Sequence, residues 1–460
     1  MRCNATWANA ETNSVVFARK ARDCYDSARV KPIVNAGATF ESSPEFAAAM
    51  DARDPLAHFR ERFSFPKTKH AQDSIYLCGH SLGLQAKAVR SCLDELLREW
   101  AELGVGGHFH AKTPWLHYQR ELARQTAPLI GAEPQEVAVM NTLTVNLHLM
   151  MASFYQPTPQ KHKILIERGA FPSDQYATKS QIRFHGFHPE SSLLELTPRE
   201  GESCLREEDI VALIERDGES IALILMGGLN YVTGQVFDLE AITTAGRKKG
   251  CRVGFDLAHA AANVPLRLHD WGPDFAAWCN YKYLNGGPGC VAGCFVHERH
   301  AHAGDLPRFA GWWGNDEARR FEMGPDFHPM TGAEGWQVSN PPILALAPLR
   351  ASLEIFAEAG MERLRAKSIA LTSYAEFLLG QRPCPQFSII TPSEPERRGA
   401  QLSLRIRQEG RKLCDKLAAA GVIGDWRAPD IFRFAPVPLY NSYQDVYRFA
   451  ALFFEALQRP

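Results

Sequence analysis

The chain has 460 residues, a formal net charge of -1, 45% apolar residues and 22% charged residues. Such a length implies two or three units or one large α/β core with an appendage, and the balance of apolar to charged residues excludes a disordered chain. The near-neutral charge excludes the basic footprint of a nucleic-acid or anionic-membrane binder, and no apolar run approaches the ~20 residues that a membrane helix needs.

Residues 1–50 are alanine-rich and weakly patterned, and they read as an N-terminal arm. Val15-Val16-Phe17 is followed at once by Arg19 and Lys20, so no signal-peptide apolar region is present. The 11 cysteines are scattered, odd in number and without a CxxC pair, which points to reduced thiols and a cytoplasmic location. Cys290 and Cys294 read as small core residues, and no metal site is expected.

The middle of the chain alternates short apolar runs with helical patterns. Strands are predicted at 163–167, 221–226, 253–255, 275–278 and 290–296, and a helix at 206–216. Asp238 caps a further helix that stops at Gly250, with Arg247, Lys248 and Lys249 in the last turn where the dipole favours cations. Short buried strands separated by helices imply an α/β fold: a mainly parallel sheet covered by helices on both faces. This large domain is expected over 51–345. Beyond it the texture changes to a helix at 346–359 and a strand in which Leu402, Leu404 and Ile406 alternate with Ser403, Arg405 and Arg407, burying one face. A helix at 412–420, strands around 432–435 and a last amphipathic helix at 443–457 complete a smaller α+β C-terminal domain, 346–460.

Four features carry chemistry. Asp256 ends an apolar strand, His259 follows one turn later, and Lys282 lies beyond the next strand, before Gly286-Gly287-Pro288-Gly289. Open α/β sheets place their sites at the carboxyl ends of strands. A lysine and a carboxylate at neighbouring strand ends suit pyridoxal phosphate: the lysine bonds the aldehyde, and the carboxylate keeps the pyridine nitrogen protonated. The plainer alternative is a helix-capping aspartate and a solvated lysine. Asn141-Thr142-Leu143-Thr144 precedes an apolar helix over 145–155 and offers free amides to a phosphate, or is simply a capped helix start. Phe171-Pro172-Ser173-Asp174 offers an aromatic face and a second carboxylate, or is a β-turn. Gly311-Trp312-Trp313-Gly314 and Ser339-Asn340-Pro341-Pro342 suit loops closing over an aromatic substrate or reaching across a subunit interface, or are packed loops.

The chain resembles the kynureninase family, pyridoxal-phosphate enzymes of the class V aminotransferase group (fold type I), from about residue 73 onward. The motifs that carry the resemblance are YLCGHSLGLQ (76–85), NTLTVNLHLMMASF (141–154), AFPSDQYA (170–177), GFDLAHAAANV (254–264), WCNYKYLNGGPG (278–289), VSNPPIL (338–344) and RFAPVPLYNS (433–442). The resemblance implies hydrolysis of the Cβ–Cγ bond of L-kynurenine or 3-hydroxy-L-kynurenine to anthranilate or 3-hydroxyanthranilate plus L-alanine. This reaction belongs to tryptophan catabolism and pyridine nucleotide (NAD) biosynthesis.

By the same resemblance Lys282 holds the cofactor and Asp256 partners its ring nitrogen, with His259 beside it. Leu143, Thr144, Tyr281 and Trp312 lie at the phosphate end, Phe171 stacks on the ring, and Pro172, Ser173 and Asp174 adjoin it. Trp312 and Asn340 reach the cofactor from a neighbouring protomer, so a homodimer is implied. Arg433 matches the clamp for the substrate α-carboxylate, and Ser81, His108 and Ser339 match positions near the aryl group. Tyr281 is the expected proton donor, although it can share a site with Lys282 only if the backbone turns there, because strand neighbours face opposite ways. Asn315 stands where animal members carry histidine, and Gly227 where they carry a phosphate-binding serine.

Other readings have less support. A desulfurase needs a nucleophilic cysteine on a mobile loop, and none lies between Cys294 and Cys384. A metal hydrolase would have to use His297, His300 and His302, which read instead as a solvated surface segment. A non-catalytic binding protein would be expected to lack the lysine.

Overall fold

A computed structural model of the chain describes residues 40–458. Most of the expected arm lies outside the described residues; its last residues open the helix Pro44–Ala52, which runs across the expected boundary at 50 and whose Ser43 Oγ accepts from the Phe46 N–H at 3.1 Å.

Seven strands build the main sheet: β1 (Val137–Val139), β2 (Lys163–Glu167), β3 (Leu193–Leu196), β4 (Ile221–Gly227), β5 (Arg252–Asp256), β6 (Phe275–Trp278) and β7 (Gly293–Val296). Their spatial order is β1-β7-β6-β5-β4-β2-β3. Strand β7 runs antiparallel to both neighbours, and β6, β5, β4, β2 and β3 are mutually parallel. The strand repeat of two divides the side chains between two cores. Ile164, Ile166, Leu223, Leu225 and Phe275 face one, with Leu147, Met150, Ala177 and Ile182 from the helices Leu143–Phe154 and Pro172–Phe184. Leu165, Ile224, Val253, Phe255 and Trp278 face the other, with Leu239, Ile242 and Ile214 from the helices Leu239–Lys248 and Glu207–Asp217. Buried on both faces, these strands read in sequence as continuous apolar runs. Asp238 caps its helix as its position predicts, its carboxylate accepting from the Ala241 N–H at 2.9 Å.

A second sheet is antiparallel: β8 (Phe387–Ile389), β9 (Leu402–Ile406), β10 (Asp425–Arg427) and β11 (Ile431–Phe434), in the order β8-β9-β11-β10. The helix Tyr443–Gln458 packs Phe449 against Phe432 and Phe434 of β11. Just before β10, Val422–Ile423 pairs in parallel with Ile75–Tyr76, tying this layer to an early segment of the chain.

Two expectations need correction here. Strand β9 does not bury one face only: Ser403 is fully buried, its hydroxyl donating to the Val232 carbonyl at 2.6 Å, and only Arg405 is exposed. A serine that finds a carbonyl partner can sit inside, which alternation alone does not reveal. The strand predicted over 290–296 begins at Gly293, because Cys290 closes a turn onto the Gly287 carbonyl and Val291 is bonded by the Asn280 amide. Among the described residues no helix is long and apolar enough to cross a membrane.

Candidate active site

The carboxyl ends of β2, β4, β5 and β6 converge on one pocket of about 170 Å³, as the geometry of open α/β sheets requires. Glu167 ends β2, Gly227 ends β4, Asp256 ends β5, and Tyr281 and Lys282 follow β6 by a few residues. The start of the helix Leu143–Phe154 and the turn at Phe171 complete the wall. Of the sequence-predicted residues, the pocket gathers Leu143, Thr144, Phe171, Ser173, Asp174, Gly227, Asp256, His259, Tyr281 and Lys282.

Tyr281 and Lys282 share the pocket because neither lies in a strand. β6 ends at Trp278, and the chain then turns: Asn285 N–H donates to the Lys282 carbonyl at 2.9 Å, and Gly286 N–H to the Asn280 carbonyl at 2.8 Å. The segment of Gly83 packs onto this turn, its N–H donating to the Tyr281 carbonyl at 2.8 Å. A Cβ at position 83 would stand 2.3 Å from the Lys282 carbonyl, so only glycine allows the approach. The Lys282 ammonium lies 5.8 Å from the centroid of the Phe171 ring and 6.0 Å from that of Tyr281.

Three carboxyl groups border the lysine. Asp256 accepts from the Ala258 N–H at 2.7 Å, and Asp174 stands with it in the same pocket wall. Burial raises both pKa values, and the Asp256 charge raises that of Asp174 further. Glu167, 4% exposed, is pushed up to about 7 by burial and by Asp256, against the amide of Asn230 that donates to it at 2.7 Å. One oxygen of Asp174 has no hydrogen-bond partner despite burial, as expected of a group aimed at a ligand. Burial, then Lys282 and Arg433, hold His259 neutral, far below the usual histidine range. Burial raises the Tyr281 hydroxyl well above its ordinary value, keeping its proton in place.

At the other end, the Thr144 and Ser173 hydroxyls lie 2.7 Å apart. Thr142 caps the helix Leu143–Phe154 without a side-chain bond, leaving first-turn N–H groups for an anion. Phe171-Pro172-Ser173-Asp174 is a helix start, with Pro172 at the first position and the half-exposed Phe171 ring edge-on to Tyr231 at 5.3 Å.

The remaining predicted residues stand outside the pocket wall. Arg433 is buried behind Tyr231, donating to its carbonyl at 2.6 Å and to the Asp425 carboxylate. Ser81 lies in the segment that abuts the Lys282 turn, and His108 packs against Trp115 at 5.4 Å. Pro172, Ser339 and Asn340 are exposed, Trp312 is 47% exposed, and the Asn315 side chain accepts from the His328 N–H at 2.8 Å. Glu167, Leu229, Tyr231 and Ala258 are pocket residues that sequence reasoning missed. Glu167 had a usable signal, as a carboxylate at the carboxyl end of a predicted strand.

The predicted surface histidines divide. His302 is exposed, but His300 is buried and bonded to Asp274 at 2.8 Å, a correction owed to that carboxylate. His297 joins Glu136 and His269 in a cluster with ligand atoms within 4.8 Å of one another. Its Nδ1 accepts from the Arg299 N–H and its Nε2 donates to the His269 carbonyl, so both ring nitrogens serve the fold.

Residues 364–453 match the family model described as "Kynureninase C-terminal domain". A kynureninase of Koribacter versatilis is 62% identical over 418 residues, covering 91% of this chain and 99% of that protein. One of Myxococcus xanthus is 58% identical over 89% of this chain and 96% of its own length. Among solved structures, the Escherichia coli cysteine desulfurase CsdA matches with a TM-score of 0.70 at 20% identity, over 88% of this chain and 98% of its own. A lysine-to-alanine mutant of C-DES with glycine covalently linked to its PLP cofactor matches with a TM-score of 0.69 at 18% identity, over 86% of this chain and 98% of its own. At such identity these structures speak for the fold alone.

Proposed function

The chain belongs to the kynureninase family, and on that premise we propose how this pocket hydrolyses L-kynurenine to anthranilate and L-alanine with pyridoxal phosphate. The observation that carries the proposal is the meeting of Lys282 with the buried carboxyl groups of Asp174 and Asp256 in one pocket at the strand ends.

The residues present fit the cofactor. Lys282 offers the amine that bonds it, and the carboxyl pair offers an acceptor that keeps its ring nitrogen protonated. Thr144, Ser173 and the helix start offer donors to its phosphate, and Phe171 an aromatic face. Gly227 supplies no hydroxyl, and the hydroxyls of Thr142, Thr144 and Ser173 stand in that wall instead. When bound, pyridoxal phosphate supplies an electron-accepting ring that stabilises negative charge beside the substrate amine.

Each residue has a task in the reaction. Arg433 holds the substrate α-carboxylate. Lys282, once free, moves the proton at the substrate α-carbon. Water adds to the γ-ketone, the Cβ–Cγ bond breaks, and anthranilate leaves with the new carboxyl group. Tyr281, still protonated at neutral pH, donates the proton that completes the alanine methyl group. Ser81, His108, Asn315 and Ser339 are assigned to the aryl end, and 3-hydroxy-L-kynurenine is the alternative substrate there. Trp312 and Asn340, exposed and away from the pocket of their own chain, suit a homodimer in which each protomer completes the other's site. Sedimentation at a single-chain mass would refute the dimer. The cytoplasm is the proposed compartment.

The test of function is the release of anthranilate and alanine in equal amounts from L-kynurenine. Lys282→Ala abolishes both, together with the visible absorption of the bound cofactor. Full turnover in that variant would overturn the assignment.

A further inference from the structure

Arg433 is 1% exposed and already engaged. Its Nη1 donates to the Tyr231 carbonyl at 2.6 Å, its Nη2 donates to Asp425, and its Nε has no partner. A carboxylate taken side-on by a guanidinium uses Nε and Nη2 together. Half of that edge is free and the other half is held by Asp425. An incoming α-carboxylate therefore has to displace the Asp425 side chain, which is only 19% exposed and needs another donor when it leaves.

One candidate donor stands beside it. His80 is fully buried, its Nε2 lies 3.8 Å from Asp425 Oδ2, and neither ring nitrogen reaches a hydrogen-bond partner. A buried imidazole without a partner is costly unless it is used in another state of the protein. The backbone that carries the ring is closely packed. A Cβ on Gly79 would stand 2.2 Å from the Tyr440 hydroxyl, and Gly83 is pressed against the Lys282 turn, so the segment between them is fixed at both ends. On its other side His80 faces His259, a pocket residue, at 6.4 Å between ring centroids. Burial and the Arg433 charge lower the His80 pKa to about 4, so at neutral pH it is an uncharged donor. Arg427 Nε also holds Asp425, at 2.9 Å, and can keep this bond while the side chain turns.

We propose that His80 is a positioning residue for substrate binding: when the α-carboxylate takes Arg433, Asp425 passes from Arg433 to the Nε2–H of His80. No proton changes hands. One carboxylate replaces another on the guanidinium, and the displaced one gains a neutral hydrogen bond in place of a charged one. The exchange rests on Arg433 being the α-carboxylate clamp, as assigned above. It would favour a ligand carrying a carboxylate over one lacking it, because only a carboxylate can offset the lost Asp425–Arg433 contact.

The test compares KM and kcat for L-kynurenine in three variants of the holoenzyme. His80→Phe, which keeps a ring but no donor, raises KM roughly tenfold while kcat stays within about twofold. His80→Gln, which restores an N–H of similar reach, brings KM back to within about threefold of the parent. Arg433→Lys is the control and raises KM by more than His80→Phe does. If Arg433→Lys leaves KM unchanged, the clamp assignment fails. If Arg433→Lys raises KM but His80→Phe does not, the exchange is overturned. It is also overturned if His80→Phe lowers kcat as much as it raises KM and His80→Gln restores neither. Should His80→Phe not fold, the smaller His80→Leu is read against the same control.

Discussion

Replacing Glu167 by glutamine tests the electrostatics of the pocket floor. Glu167 is buried at the end of β2, and its pKa rises from 4.5 to about 7 through burial and the Asp256 charge, against the Asn230 amide. Because the folded-state value is raised, the folded form binds this proton more tightly than the unfolded chain does. The resulting stability is fully present below about pH 4.5 and is lost as pH rises through 7. The span from 4.5 to about 7, at about 1.4 kcal/mol per pH unit, amounts to about 3 kcal/mol. Glutamine keeps the size and the hydrogen bond to Asn230 but cannot ionise. Urea unfolding of the apoenzyme at pH 4.5, 6 and 8 should therefore show the variant gaining about 3 kcal/mol on the parent across that range. The other carboxylates titrate in both proteins and largely cancel in the difference. A difference that stays constant with pH would show that Glu167 ionises as a solvated carboxylate does, and the reasoning would be wrong.

Two further outcomes follow from packing. Gly83→Ala puts a methyl group 2.3 Å from the Lys282 carbonyl and 2.7 Å from Asn285 Cα, both backbone atoms, so the turn that carries Lys282 has to shift. The expected cost is ~1–3 kcal/mol of stability with a loss of kcat well over tenfold, measured by melting and turnover; a normal kcat would show that the position of the turn does not matter. Lys367 and Asp54 form an ion pair of 2.7 Å with both side chains 3% exposed. Lys367→Met strands the buried carboxylate and should cost ~3–5 kcal/mol, whereas adding Asp54→Leu should recover most of it. Equal destabilisation of the single and double variants in urea would contradict this.

The sheet was legible because its strands are local signals. The runs at β2, β4 and β6 are apolar, short and bounded by polar or glycine-rich segments, so their limits could be read within a residue or two. Strands β1 and β3 went unread: the first is only three residues long, and the apolar run of the second is broken by Glu195. Ser403 shows the limit of alternation, since a polar residue with a carbonyl partner can occupy an inward position without announcing it.

Lys282, Asp256 and the phosphate-ready helix start were all available from the sequence. Each is set by its distance along the chain from a strand end, and a parallel sheet turns such distances into a common edge. That Tyr281 shares the pocket with Lys282 needed the turn after β6, which depends on Gly83 from nearly 200 residues earlier. The environment of Arg433 was decided by tertiary structure alone. Val422–Ile423 pairs in parallel with Ile75–Tyr76, and Cys78 bridges to Ala435; these pairings carry His80 and Asp425, more than 340 residues apart in the chain, to within 3.8 Å of each other. No local pattern encodes such a meeting, because His80 lies in a loop after a two-residue strand and Asp425 opens a three-residue one, runs too short for periodicity to report.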